Sequence, residues 1–170
     1  SPGQMDAFRN AANLQLCQPP YNMFERGIEN DVLPYCKENG ILLMTYGALC
    51  RGLLSGKMTP DREFPGDDLR NHDPKFKSPR FGRYLMAAAR LKQLARDSYQ
   101  QTLLAAAVRW VLDMGVEIAI WGGRRPDQMD PIADVLGWQV DKDFKLAVDE
   151  ILYEVITDPV GPEFMAPPAR

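Results

Sequence analysis

Length, composition and charge limit what this chain can be. Its 170 residues have room for one compact domain and not for two. Hydrophobic residues make up 45% and charged residues 25% of the chain, a mix typical of a globular protein that excludes global disorder. The 20 Lys and Arg residues are outnumbered by 23 Asp and Glu residues, and the net charge is −3. Because nucleic-acid-binding proteins usually carry a basic excess, we expect no nucleic-acid partner.

The cysteine and histidine content argues against a metal site. The three cysteines, Cys17, Cys36 and Cys50, are not spaced as metal ligands, and His72 is the only histidine. At least one thiol stays unpaired, which suits the reducing cytoplasm. The sequence also lacks an apolar run near the ~20 residues that span a bilayer, and its start has no basic-then-apolar signal pattern. We therefore expect a cytoplasmic protein with no bound metal and no membrane contact.

Two helix–strand pairs are predicted in the first part of the chain. A helix covers residues 1–12, and a short strand at 14–18 stops before two prolines. An amphipathic helix follows at 28–39, in whose first turn Pro34 is tolerated. The continuous apolar run at 41–46 is typical of a strand that is covered on both faces.

The second part of the chain begins with a long loop. Residues 54–80 are rich in Pro, Gly, Asp and Lys, which indicates a surface loop, and loops of that length are often functional. Helices are predicted at 81–98 and at 102–114, the second with so wide an apolar arc that it should be largely buried. A third strand follows at 116–121.

After the third strand, the pattern predicts a helix that opens at Pro126, a last helix at 141–156 and an extended tail at 158–170. The alternation of helices and strands implies a parallel sheet within a single α/β domain of residues 1–170. Three parallel strands cannot close into a barrel, and the chain is shorter than the ~250 residues that a (β/α)₈ barrel usually takes. An open sheet has two free edges, each able to pair with another chain. We therefore expect that part of the sheet lies outside this chain.

Four segments, in the same order along the chain, resemble the aldo-keto reductase family. They are QPPYNMFER at 18–26, TYGALCRGLLSGK at 45–57, AVRWVL at 107–112 and GGRRPDQ at 122–128. The resemblance is greatest to bacterial general-stress-type members, which share a loop with NHDP at 71–74 and a tail with DPVGPEFM at 158–165. It implies that the chain is the C-terminal half of a (β/α)₈ TIM barrel, with parallel strands six to eight and their helices.

The resemblance also implies an activity. Members bind NADP(H) across the C-terminal rim of the barrel and reduce aldehydes or ketones by hydride transfer, so the implied partners are NADP(H) and a small carbonyl substrate. The family's catalytic Tyr, Lys, Asp and His belong to the N-terminal half, and none has a counterpart here. We therefore name no catalytic residue and expect this chain to supply the cofactor-binding half. Two alternatives stay open: a half-barrel that only binds nucleotide or only assembles, with the missing half or with itself, and a domain that holds no cofactor.

Residues 122–128 form one predicted cofactor segment. Two glycines after a strand, followed by a helix start, favour the binding of an anion, because free N–H groups and the helix dipole point towards it. An arginine there can direct two N–H groups onto a phosphate. By resemblance, Gly122 and Gly123 allow close approach, Arg124 grips the 2′-phosphate of NADP, and Gln128 bonds the adenine. On the local sequence alone, an ordinary helix start with solvated arginines is the favoured interpretation.

The other predicted contacts follow the first two strands. By resemblance, Tyr46 stacks on the nicotinamide ring, and Gln18 binds its carboxamide. The resemblance places the pyrophosphate in the loop after Tyr46, at Gly47, Leu49, Arg51, Gly52, Ser55 and Lys57. The ordinary alternatives are a core tyrosine, a strand terminator and a solvent loop, and the short Ser-Gly-Lys match by itself is weak. His72 is expected to be a solvated histidine without a catalytic role.

Overall fold

The chain folds around a sheet of three parallel strands in the order β1–β2–β3. The fold is given by a computed structural model that describes residues 1–164. The strands are β1 Leu16–Cys17, β2 Leu42–Tyr46 and β3 Ile118–Ile120. Leu16 lies opposite Leu42, and Tyr46 lies opposite Ile120. The predicted parallel sheet is confirmed, although β1 and β3 are shorter than predicted.

The described residues form five α-helices, which alternate with the strands except that α3 and α4 are consecutive: α1 Pro2–Arg9, α2 Val32–Glu38, α3 Arg80–Tyr99, α4 Leu103–Asp113 and α5 Lys142–Val155. Helix α4 starts at Thr102, whose hydroxyl accepts a hydrogen bond from the N–H of Ala105 at 3.1 Å. Most of α4 is buried, including Trp110 and Val111, as its wide apolar arc predicted. Within residues 1–164, none of the helices combines the length and the apolar character that crossing a bilayer requires.

Two predicted helices differ from the observed ones at their ends. Helix α1 stops at Arg9 instead of residue 12, and Phe8 is 52% exposed, so little packing is available to extend it. Helix α2 begins four residues later than predicted, because the Asp31 carboxylate accepts from the N–H of Val32 and starts the helix there. Residues Gly27–Asn30 form a separate 3₁₀ turn.

The sheet is covered on one face more than on the other. In β2, Leu43 and Thr45 are buried, whereas Leu42 is 48% exposed. Ile118 of β3 is 44% exposed as well. The prediction that 41–46 is covered on both faces is therefore wrong, because alternate side chains of a strand point to opposite faces and only one face carries the packed core.

The segment 54–80 is more than a surface loop. Leu54, Asp73, Lys75 and Phe76 are buried, so the surface assignment is wrong for both ends of the segment. The tail packs back on α3 through Val160, whose N–H donates to the Tyr84 hydroxyl at 3.1 Å. Within the predicted extended tail, Pro162–Phe164 form a 3₁₀ turn, and 165–170 lie outside the described residues.

Candidate functional site

The carboxyl ends of the three strands meet at one edge of the sheet. Gln18 follows β1, Tyr46 is the last residue of β2, and Gly122 lies two residues beyond β3. The backbone pairing continues past β1. The N–H of Tyr46 donates to the carbonyl of Pro19 at 3.1 Å, and the carbonyl of Tyr46 accepts from the N–H of Tyr21 at 3.1 Å. In parallel α/β sheets, ligands bind at this edge.

Tyr46 is half-buried on the less covered face of β2, and Gln18 on the neighbouring segment is exposed. Burial raises the pKa of the Tyr46 phenol, the Glu25 carboxylate raises it further, and Arg51 acts in the opposite direction. The phenol therefore stays protonated at neutral pH. Its ring is partly accessible at the edge where the resemblance places the nicotinamide.

The loop that follows Tyr46, residues 47–57, is called the cofactor loop here because the resemblance places the cofactor beside it. It turns through three successive residues with positive φ: Cys50 at 45°, Arg51 at 51° and Gly52 at 97°. The carbonyl of Leu49 accepts from the N–H groups of Gly52 at 2.9 Å and Leu54 at 3.1 Å, which closes the turn. A Cβ at position 52 would lie 3.3 Å from the Met58 methyl carbon. Glycine therefore suits this position both for its positive φ and for the close contact with Met58.

The polar side chains of the cofactor loop have different surroundings. Ser55 donates to the carbonyl of Gly52 at 2.6 Å and accepts from the N–H of Lys57 at 3.2 Å, so its hydroxyl is engaged within the loop. Lys57 is exposed. Arg51 instead bonds the Phe164 carbonyl and lies 4.0 Å from Asp73. The structure therefore turns the Arg51 guanidinium inward, and the contact of residue 51 with the cofactor stays a prediction.

Residues 122–128 do not open an α-helix. They continue into two short 3₁₀ turns, Pro126–Gln128 and Asp130–Val135. The predicted start at Pro126 is confirmed, but the helix there is a 3₁₀ turn of three residues. Pro131 has no N–H and its ring clashes with an α-helical backbone before it, which explains why no α-helix continues from Pro126. So short a turn contributes little of the helix dipole that would favour an anion.

The Gln128 side chain bonds to the backbone of the same segment. Oε1 of Gln128 accepts from the N–H groups of Arg124 at 2.6 Å and Arg125 at 3.2 Å. A Cβ at position 123 would lie 3.1 Å from Cβ of Gln128, so local packing favours glycine there, whereas Gly122 has open space around it. Gln128 thus shapes the loop, and the adenine contact that the resemblance implies stays a prediction.

Arg124 lies beside a carboxylate that the sequence analysis did not identify. Its side chain is 87% exposed, and its Nη2 is 3.9 Å from Oδ2 of Asp68. The Arg70 guanidinium donates two hydrogen bonds to the Asp68 carboxylate, at 2.9 and 2.6 Å. These bonds are the main reason why the pKa of Asp68 lies well below its usual range, and the charge of Arg124 lowers it further. Asp68 was missed because only the folded loop brings it to Arg124.

The cofactor loop and the segment 122–128 are close to each other. Arg125 bonds Asp127 at 2.9 Å and lowers the pKa of its carboxyl, and Lys57 contributes to the same lowering from the cofactor loop. The exposed cations Lys57 and Arg124 therefore lie at the same edge of the sheet. Two separated cations suit a ligand with more than one phosphate.

Other parts of the described chain give weaker candidates for a functional site. An open depression of about 520 Å³ lies at the amino ends of β1 and β2, opposite the edge described above, and is lined by residues such as Arg9 and Asn39. His72 is exposed. Cys17, Cys36 and Cys50 are free thiols. Among residues 1–164, no cluster of His, Cys, Asp and Glu could hold a metal ion.

Comparison with known proteins assigns the chain to a family. The model of the aldo/keto reductase family matches residues 2–152. The chain belongs to the aldo/keto reductase family. It is 52% identical over 168 residues to the aldo-keto reductase YhdN of Bacillus subtilis, and the match covers 98% of this chain and 51% of that protein. A match to the NADH-specific methylglyoxal reductase of Escherichia coli is 29% identical and covers 68% of this chain and 35% of that protein.

Solved structures agree with this assignment. The glycerol dehydrogenase AKR11B4 of Gluconobacter oxydans superposes with a TM-score of 0.88 at 50% identity, covering 98% of this chain and 50% of that one. The aldo-keto reductase AKR11C1 of Bacillus halodurans, in its holo form, gives a TM-score of 0.65 at 17% identity, which shows a shared fold. The chain spans about half the length of the B. subtilis and G. oxydans relatives. The predicted fold class, part of a (β/α)₈ barrel of this family, is thereby confirmed.

Proposed function

We propose that this chain is the cofactor-binding part of an NADP(H)-dependent oxidoreductase that reduces aldehydes or ketones by hydride transfer. Membership of the aldo/keto reductase family supports an oxidoreductase. The observation that carries the choice of NADP(H) is the pair of exposed cations, Lys57 and Arg124, at the carboxyl edge that also holds Tyr46. We further propose that the protein acts in the cytoplasm, which its free thiols support.

The residues at this edge fit an extended dinucleotide. Arg124 would hold the 2′-phosphate, which distinguishes NADP from NAD. Its guanidinium is exposed, and its ion pair with Asp68 is long, at 3.9 Å, so it leaves the guanidinium available to a ligand. Lys57 would neutralise the pyrophosphate beside the backbone of the cofactor loop. Tyr46 would stack on the nicotinamide and Gln18 would bind the carboxamide. The bound cofactor supplies the hydride.

The chain supports binding and orientation but not the proton transfer. A carbonyl reduction also needs an acid that protonates the developing alkoxide. The resemblance assigns that acid to the N-terminal half of the barrel, and we propose no residue of this chain for it. We therefore propose that turnover needs residues that this chain does not contain.

A second function is favoured by the exposed sheet face. Leu42 and Ile118 are apolar and are 48% and 44% exposed on the strands, and such surface normally packs against another element. As an alternative, the chain would be a catalytically incomplete half-barrel that binds nucleotide or assembles, with an N-terminal half or with a second copy. Turnover of a simple aldehyde with NADPH by the purified 170-residue chain would exclude this alternative.

Titration with NADPH tests the proposed function. We expect the chain to change the fluorescence of NADPH on binding, and we expect Arg124→Ala to weaken the affinity by about 1–3 kcal/mol, because a charge-assisted hydrogen bond is lost. The affinity for NADH, which has no 2′-phosphate, should stay the same. Arg90→Ala is the matched control, since Arg90 is an exposed arginine that pairs with Glu154 on α5. No binding of NADPH, or equal binding by wild type and Arg124→Ala, contradicts the proposal.

A further inference from the structure

Three charged side chains are fully buried beside the cofactor loop. Glu25, Asp73 and Lys75 have no exposed side-chain surface and are called the buried ion cluster here. Nζ of Lys75 is 2.7 Å from Oε1 of Glu25 and 3.1 Å from Oδ2 of Asp73. Replacing a buried ion cluster by apolar side chains is often neutral or stabilising. Stability alone therefore does not explain why the core contains these three charges.

The buried ion cluster is bonded to the start of the cofactor loop. The amide nitrogen of Asn22 donates to Oε2 of Glu25 at 2.6 Å and to the carbonyl of Gly47 at 3.0 Å. The amide oxygen of Asn22 accepts from the N–H groups of Phe24 at 2.9 Å and Glu25 at 3.1 Å. Because both ends of this buried amide are engaged, Glu25 and Gly47 are held at a fixed separation.

The cluster also reaches the turn of the cofactor loop. Oδ1 of Asp73 accepts from the N–H of Lys75 at 3.0 Å, and Oδ2 of Asp73 lies 4.0 Å from Nε of Arg51. Arg51 in turn donates to the carbonyl of Phe164 in the tail. Arg51 thus connects the buried ion cluster with the segment Pro162–Phe164.

The turn held by these contacts has an unfavourable backbone. Cys50 and Arg51 have φ values of 45° and 51°, which residues other than glycine rarely adopt. Such a conformation persists only where the surroundings determine it, and it is most frequent at functional sites. Here Asn22 holds the loop at Gly47, before the turn, and Asp73 faces Arg51, within the turn.

We propose that the buried ion cluster is a positioning centre that holds the turn at 50–52 and the segment Pro162–Phe164 as one unit. The cofactor loop then meets the pyrophosphate of the dinucleotide in a preorganised shape, so that little ordering is left to occur on binding. The identity of this ligand rests on the proposed function, whereas the positioning itself does not. Glu25, Asp73 and Lys75 are positioning residues, since they act through Gly47 and Arg51.

Hydrogen–deuterium exchange without any ligand tests the positioning. In the charge-balanced variant Glu25→Gln/Lys75→Met, we expect amides of residues 47–57 and 160–164 to exchange about 10-fold faster, because local opening becomes easier, while α4 and α5 keep their rates. Arg90→Met, which removes the exposed pair with Glu154, is the control and should change neither segment. Unchanged exchange at 47–57 in the folded double variant overturns the proposal. If that variant does not fold, Asp73→Asn replaces it, and loss of folding in both assigns the cluster to stability and equally overturns the proposal.

A variant cycle on NADPH affinity tests the link to the ligand. We expect Glu25→Gln/Lys75→Met and Arg51→Met each to weaken NADPH binding about 10-fold through misplacement of the loop. The combined variant should be no weaker than either, because residues that act through one element are not additive. Fully additive losses overturn the proposal. If the wild-type chain binds no NADPH, the proposed function fails, while the exchange measurement still decides on the positioning centre.

Discussion

Replacing Lys75 by methionine should destabilise the chain strongly at neutral pH. The change removes the ammonium that lies 2.7 Å from Glu25 and 3.1 Å from Asp73, and leaves two buried carboxyl groups without it. Breaking a buried pair by removing one partner costs about 3–5 kcal/mol. For a chain of this size, each kcal/mol lowers Tm by roughly 2–4 °C, so we expect Tm to fall by about 6–20 °C.

The loss should depend on pH with a definite sign. Burial raises the pKa of Glu25, whereas Lys75 and Asn22 lower it. Without Lys75 the pKa of Glu25 in the folded chain rises further above its unfolded value of ~4.3. A folded carboxyl with a raised pKa binds more protons than the unfolded one, so the free energy of unfolding falls as pH rises through that interval. The deficit of Lys75→Met is therefore largest near neutral pH and shrinks towards pH ~5.

Thermal and urea unfolding followed by circular dichroism measure this effect. Wild type, Lys75→Met and Glu25→Gln/Lys75→Met are compared at neutral pH and near pH ~5, where a buried carboxyl with a raised pKa is protonated. The double variant should recover part of the stability, because the charge of Glu25 is removed together with that of Lys75, whereas the buried Asp73 carboxyl still lacks the ammonium. A deficit that is the same at both pH values, or a double variant less stable than Lys75→Met, would refute the reasoning.

Three further predictions concern the carboxyl edge. Asp68→Asn should strengthen NADPH binding by about 1 kcal/mol and leave NADH binding nearly unchanged, because it removes a negative charge near the site of the 2′-phosphate; titrations of both cofactors at low and high salt check this, and an equal gain for both cofactors speaks against it. Tyr46→Leu should weaken binding of either dinucleotide by about 0.5–1.5 kcal/mol through lost stacking, which calorimetry measures, and unchanged affinity contradicts the stacking role. Gly52→Val should lower the free energy of unfolding by about 1–2 kcal/mol, since φ is 97° there, and urea unfolding that matches wild type argues against the strained turn.

The secondary structure was largely predictable because its signals are local. Alternating helices and strands indicated a parallel sheet, and the wide apolar arc of α4 indicated a buried helix; both are confirmed. The helix predicted at Pro126 does begin there, but only as a 3₁₀ turn, because Pro131 prevents an α-helix from continuing. The face of β2 that carries Leu42 was also misjudged, because an apolar run does not show whether a neighbour exists to cover it.

The sequence alone determined the family, the order of the elements and the strand ends that carry Gln18, Tyr46 and Arg124, because parallel strands necessarily bring their carboxyl ends to one edge. Only the tertiary structure decided which charges meet. Lys75 lies in what reads as a polar loop, yet the fold places its ammonium 2.7 Å from Glu25 in the core. Arg51 likewise turns to Phe164 instead of to solvent. Such pairings depend on contacts between distant segments. Burial raises the energy of each charge, and the partner that offsets this cost comes within reach only once the chain has folded.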